Sequence, residues 1–130
     1  MSSIFNKIIS GEIPCHKVAE DANHLAFLDI SPLKQGHVLV IPKQPIDYIF
    51  DMVPADYAAL NLFAQKVAKG IKAAIECKKI GVVVIGLEVP HAHIHLIPIS
   101  SVSDIDFSKE KMKPTNEELM ATADMIKKFL

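Results

Sequence analysis

The sequence predicts an α+β domain built on a mainly antiparallel sheet. Three observations carry this. Helix-like and strand-like runs follow one another in the order helix, strands, helix, strands, helix, a segregation that suits helices packed on a sheet. Two of the strand runs are joined only by the turn-forming Asp21-Ala22-Asn23, which is a hairpin connection. Half of the 130 residues are apolar, and no repeat, low-complexity tract or linker divides them, so residues 1–130 read as one domain around one core.

Each element has a local reason. Ser2 and Ser3 precede Ile4, Phe5, Ile8 and Ile9, an apolar side of a short helix, and Gly11 ends it. Past Pro14, residues 16–20 and 24–29 are the hairpin strands. Residues 37–41, His-Val-Leu-Val-Ile, form a β-branched and almost wholly apolar run expected to be a central strand covered on both faces and ended by Pro42 and Pro45. From 54 to 79, Leu60, Phe63, Ala64, Val67, Ile71, Ala74 and Ile75 recur at helical spacing, with Asp56, Lys66, Lys69, Lys72 and Glu76 between them and Pro54 in the first turn. Residues 80–85 are a second compact strand, Gly86 and Pro90 bracket a tight connection, and 91–97 alternate strictly before Pro98. Thr115-Asn116-Glu117-Glu118 has capping-box spacing and opens a helix running through Leu119, Ala123, Ile126 and Leu130.

Composition excludes several classes of function. Lys and Arg number 14 against 15 Asp and Glu, a formal charge of -1, which argues against a domain that grips a nucleic-acid duplex. A single nucleotide remains possible, since one phosphate needs only local donors. Cys15 and Cys77 stand outside any metal-type spacing, and the opening residues lack the basic start and long apolar run of a secretory signal. Apolar runs such as 82–85 are too short to span a bilayer. The expectation is a reduced, cytoplasmic protein without a membrane segment.

Six histidines are present, and three fall within His91-Ala92-His93-Ile94-His95-Leu96-Ile97-Pro98. On a strand, successive side chains point to opposite faces, so His91, His93 and His95 share one face and Ala92, Ile94 and Leu96 the other. Three imidazoles in a row fill a core poorly, and two chemistries could use them. One is metal ligation. At roughly 3.3 Å per residue His91 and His95 lie about 13 Å apart, whereas Zn–N bonds are about 2 Å, so all three cannot ligate one ion on a straight strand. A further ligand would have to come from His37 or Asp29. The other is nucleophilic catalysis: with its proton fixed on Nδ1, an imidazole aims the Nε2 lone pair at an electrophile, and phosphorus suits it because a phosphoimidazole is labile enough for water to finish the cycle.

The histidine row resembles the signature of the histidine triad (HIT) family, His-x-His-x-His followed by apolar residues. Ser3-Ile4-Phe5-Asn6-Lys7-Ile8-Ile9-Ser10-Gly11-Glu12-Ile13-Pro14 is similar to that family's N-terminal segment. Ala26-Phe27-Leu28-Asp29-Ile30-Ser31-Pro32 resembles its nucleoside-pocket strand, and Gly36-His37-Val38-Leu39-Val40-Ile41-Pro42-Lys43 the strand after it. The resemblance covers most of residues 3–98. It implies a five-stranded sheet with a long central helix and short N- and C-terminal helices. It also implies a metal-independent nucleotidyl hydrolase or transferase, of phosphoramidase type, acting at the α-phosphorus of an AMP-like purine nucleotide conjugate without a cofactor.

By the same resemblance, His93 is the nucleophile, His91 and His95 bind phosphate oxygens and orient their neighbour, and His37 supports the cluster through a hydrogen bond within it. Asp29 accepts from the ribose hydroxyls, a task for which a carboxylate can take two donors. Ile4, Phe5, Ile8, Phe27 and Ile30 wall the base, although each also reads as ordinary core. A homodimer is implied, for which the apolar residues of 60–75 and 82–85 offer surface.

Two positions depart from the family pattern. Leu87 stands where Gln is expected, in a shortened loop without an amide side chain, and an apolar residue cannot donate to a phosphate. Pro45 replaces a histidine common after the Pro-Lys pair. Glu88 is a candidate for protonating a leaving group, or a solvated turn carboxylate. Four readings therefore stand: hydrolysis of AMP phosphoramidates or related conjugates, hydrolysis of dinucleoside polyphosphates, nucleotide binding with little turnover, and metal-dependent hydrolysis.

Overall fold

A computed structural model describes residues 3–130, so Ser2, one of the two expected caps, lies outside the described residues. Ser3 is the cap of α1 (Ile4–Ser10): its side chain accepts the Asn6 amide at 3.2 Å, and Gly11 closes the helix at φ 87°, a left-handed conformation that glycine adopts freely. The chain continues through β1 (Lys17–Glu20), β2 (His24–Leu28), β3 (Val38–Pro42), α2 (Pro54–Ala74), β4 (Lys79–Val83), β5 (Ile94–Ile99) and α3 (Asn116–Lys127). Single 3-10 turns lie at Ile49–Asp51 and Val102–Asp104. The strands form one antiparallel sheet in the order β1-β2-β3-β5-β4. The expected α+β class, with five strands and three helices, is what the chain forms.

Alternation along the strands sorts the side chains into two layers. Ala26, Leu28, Val38, Val40, Ile94 and Leu96 meet Leu60, Ala64, Val67 and Ile71 of α2 and Leu119, Ala123 and Ile126 of α3. A fully buried side chain of this kind contributes about 1.5–3 kcal/mol. The opposite face carries Leu25, Phe27, Leu39 and Ile41 under Phe5 of α1. β3, buried at every residue, is the central strand that its composition predicts.

Most strand ends shift by one or two residues from the expected ones, β4 running over Lys79–Val83 rather than 80–85, and three boundaries shift by three residues or more. α2 ends at Ala74 rather than at 79, because Ile75 turns to an extended conformation and Lys78 already donates to Ile99 O, starting the β4 ladder. β5 begins at Ile94, not His91, because β3 reaches only Ile94 and β4 only His95. α3 stops at Lys127, short of Leu130. Gly36, one residue before the histidine that enters β3, has φ +88°, and a Cβ there would lie 2.9 Å from Ile75 Cγ1. Among the described residues, no helix is long and apolar enough to cross a membrane.

Candidate active site

The polar side chains of interest lie on the α1 face: Asp29 and His37 stand where β2 finishes and β3 starts, His95 is opposite Leu39, and His93 and His91 follow in the lead of β5 towards the end of β3. The three histidines of the row do share this face. The ring of His93 lies 5.0 Å from that of His95, and the Phe5 ring stands edge-on to His93 at 5.0 Å and His91 at 5.9 Å. Phe27 backs Phe5 at 5.7 Å.

Backbone groups of fixed polarity determine where each imidazole carries its proton. His93 Nδ1 faces His91 O at 2.7 Å. A carbonyl only accepts, so Nδ1 bears the hydrogen and Nε2 is left as a lone pair. His37 has the opposite polarity: Leu33 N–H donates to its Nδ1 at 3.1 Å, so its proton sits on Nε2 and is donated to His95 Nδ1 at 2.9 Å. His95 must then carry its own proton on Nε2. Two neighbouring rings thus present complementary faces, a lone pair on His93 and an N–H on His95.

Burial keeps the donor pair neutral. Burial first, then the charges that His95 and Lys111 would oppose to it, push the His37 pKa down to about 3. Burial and then His93 push His95 down to about 4. A neutral His95 is a hydrogen-bond donor that keeps its proton rather than an acid near neutral pH.

Of its two expected parts, binding phosphate and orienting its neighbour, His91 is arranged for the second. It has no exposed surface, and its Nε2–H is donated to Pro42 O at 2.7 Å. Its Nδ1 is buried without a partner, and a lone pair cannot donate to a phosphate. Its geometry instead ties the lead of β5 to the end of β3 and presents the carbonyl that orients His93.

Asp29 sits at the end of β2. Its Oδ1 accepts the Ser31 amide at 2.9 Å, and Oδ2 lies 3.7 Å from His37 Nε2. Burial raises its pKa against the Ser31 hydrogen bond and the charges of His93 and Lys111. Of the other expected residues, Ile8 packs partly buried on the Phe5 cluster, while Ile4 and Ile30 are exposed. Glu88 is exposed on the turn ahead of His91, and Leu87 is 88 % exposed beside it. Phe107 is a neighbour that the sequence did not point to. Its ring stands 4.9 Å from His95 and 6.3 Å from His37, close to edge-on to both.

Asp29, His37 and His95 place donor atoms within 4.8 Å of one another, close enough to converge on a cation. Their hydrogen bonding opposes it. Ligation through His37 Nε2 would move that proton to Nδ1, where the Leu33 N–H already points, and metal-bound imidazoles donate from the other nitrogen rather than accept there. Holding an ion would cost this contact and the His37–His95 hydrogen bond together.

The chain is similar to known proteins in sequence and in fold. A family model described as HIT domain matches residues 10–102. An adenosine 5′-monophosphoramidase of Schizosaccharomyces pombe is 40 % identical over 103 residues, 75 % of this chain and 74 % of its own. An uncharacterised HIT-like protein of Methanocaldococcus jannaschii is 43 % identical over 106 residues, 73 % of this chain and 77 % of its own. Among solved structures, a Hit-like protein involved in cell-cycle regulation from Bartonella henselae superposes with a TM-score of 0.85 at 33 % identity, covering 99 % of this chain and 97 % of its own. A Zn-bound histidine triad family protein from Mycobacterium smegmatis reaches the same TM-score at 25 % identity, over 99 % and 93 % of the two chains.

Proposed function

The chain belongs to the histidine triad family, and on that premise we propose that it is a nucleotidyl hydrolase or transferase cleaving AMP-type phosphoramidates at the α-phosphorus without a metal. One observation carries the reading: the His93 Nδ1–H is anchored on His91 O, which leaves Nε2 as a nucleophile next to the His95 ring, whose proton sits on Nε2. The S. pombe relative named a monophosphoramidase supports the amine leaving group.

In this mechanism His93 Nε2 attacks the α-phosphorus, the N–P bond to His93 forms, and the P–N bond to the amine breaks. His95 Nε2–H donates to a phosphoryl oxygen and stabilises the charge that builds there. Because His95 keeps its proton, the departing amine takes one from solvent. The positive charge on His93 is met by the His91 carbonyl on Nδ1–H. Water then attacks phosphorus, the N–P bond to His93 breaks, and AMP and a proton are released. Asp29 accepts from the ribose hydroxyls, and Phe5, Phe27, Ile8, Ile4 and Ile30 line the base side.

We infer in addition a homodimer formed through the edge strand β4. Its exposed Val82, and Val84 and Ile85 beyond its end, offer an apolar surface at an open ladder.

The test is AMP release from adenosine 5′-phosphoramidate in excess chelator, comparing the unmodified protein with His93→Ala. Release that survives chelation and falls by at least about 10³-fold in the variant is expected. No release from the unmodified protein, or release abolished by chelator, would overturn the proposal.

A further inference from the structure

The chain between β5 and α3 forms a strap tied to the loop that precedes His37. Lys34 Nζ pairs with Asp104 Oδ1 at 3.0 Å, and Asp104 Oδ2 accepts the Ser100 and Ser101 amides at 2.8 and 3.0 Å. Further on, Met112 N donates to Pro32 O at 2.9 Å. Between these anchors the strap is curled on itself by Lys109 Nζ, which donates to Ser103 O, and by Lys111 Nζ, which donates to the carbonyls of Phe107 and Lys109. The curl delivers one apolar side chain to the site. Among the described residues, Phe107 packs on neither apolar cluster of the core; its aromatic neighbours are His95 and His37, at 71° and 80° between ring planes.

We propose that Phe107 is a positioning residue for the reaction: it caps the His37–His95 hydrogen bond, excludes water from it and holds the His95 ring with Nε2–H turned towards the phosphoryl group. Edge-to-face contact fixes the relative angle of two rings, and a dry surrounding strengthens the hydrogen bond beneath it. The cover acts among defined charges. Asp29 faces His37 from the end of β2, His93 faces His95 from the lead of β5, and Lys111 approaches from the strap itself. Lys111 opposes a positive charge on His37, and Phe107 withholds the water that would solvate one.

The catalytic part of this inference rests on the function proposed above, so the experiment has an arm that needs no substrate. Imidazole ¹⁵N resonances of His37 and His95 are titrated in the free protein for the unmodified chain, Phe107→Ala and Phe107→Leu. AMP release from adenosine 5′-phosphoramidate is followed in parallel. In Phe107→Ala both midpoints should rise by roughly one pH unit or more as water reaches the pair, and kcat should fall about tenfold with KM within twofold. Phe107→Leu should restore most of both. Asp104→Asn, which breaks the strap's ion pair without touching a ring, should move the same midpoints in the same direction and keeps the proposal testable if Phe107→Ala does not fold. Midpoints unchanged in folded Phe107→Ala, or moved equally in Phe107→Leu, would overturn the positioning role. An unmodified protein that releases no AMP would overturn the proposed reaction while leaving the titration to decide the role of Phe107.

Discussion

Acid is the perturbation to which the His37–His95 pair answers most directly. Their pKa values are pushed to about 3 and about 4, and the residues are 1 % and 8 % exposed, whereas an unfolded histidine titrates near 6.5. Between pH 6.5 and about 4, unfolding therefore takes up a proton at each ring. The stability these groups contribute is complete above pH 6.5 and is lost as pH falls. Each such proton changes stability by about 1.4 kcal/mol per pH unit. From pH 7.0 to 4.5, His37 alone removes about 2–3 kcal/mol, against a total of about 5–15 kcal/mol for a domain, and His95 acts in the same direction. Urea unfolding at pH 7.0 and 4.5 should show this in a comparison of the unmodified protein with His37→Gln. The glutamine variant should be less stable at pH 7.0, yet lose about 2–3 kcal/mol less on acidification. Carboxylates titrate over the same range in both proteins and cancel in the difference. Equal pH dependence in the two proteins would refute the claim that His37 is buried neutral.

Four other outcomes follow from single contacts. Asp29→Asn should raise KM for an AMP conjugate about 10- to 100-fold, the loss of a charged acceptor for two hydroxyls, while a 2′,3′-dideoxy conjugate should be almost indifferent to the change. Gly36→Ala forces a side chain into a left-handed conformation and against Ile75, so calorimetry should show a loss of about 1–3 kcal/mol and a Tm lower by several degrees. Thr115→Ala removes the hydroxyl that accepts Glu118 N at 3.1 Å and should cost about 1 kcal/mol in thermal unfolding, with AMP release within twofold of the unmodified rate. Light scattering should give twice the monomer mass for the unmodified protein and a monomer for Val82→Lys; a monomeric unmodified protein would remove the dimer from consideration.

What the sequence revealed and what it hid divide along the range of the interactions. The Ser3 cap, the Gly11 stop and the Thr115–Glu118 capping box close within three or four residues and could be read directly. So could the shared face of His91, His93 and His95, because the strand period of two fixes it. The partner of His91 could not. That partner, Pro42 O, lies 49 residues away, and the contact makes His91 a brace between the lead of β5 and β3. The end of α2 was hidden for the same reason: Ala74 and Ile75 continue the helical spacing, and the pairing of Lys79 with Ile99 overrides it. Phe107 gave no local signal at all, since the Lys34–Asp104 and Met112–Pro32 contacts that deliver it join segments some seventy to eighty residues apart.

The arrangement also accounts for a site of this kind needing more than one supporting histidine. An imidazole alone in water exchanges its proton between two nitrogens and presents lone pair and N–H in turn. Here a carbonyl at His93 and an amide at the far end of the His37–His95 chain impose opposite polarities, and neither backbone group can reverse its own. Leu33 N–H cannot accept, so every hydrogen in its chain points towards His95 Nε2; His91 O cannot donate, so His93 Nε2 stays bare. Were His95 charged, His37 Nε2–H would meet a second N–H on His95 Nδ1 and the chain would break. Burial that depresses both pKa values is therefore what keeps the order intact near neutral pH. The same burial that leaves the fold sensitive to acid is the condition for a bare Nε2 on His93 and an N–H on His95 to stand side by side without exchanging a proton.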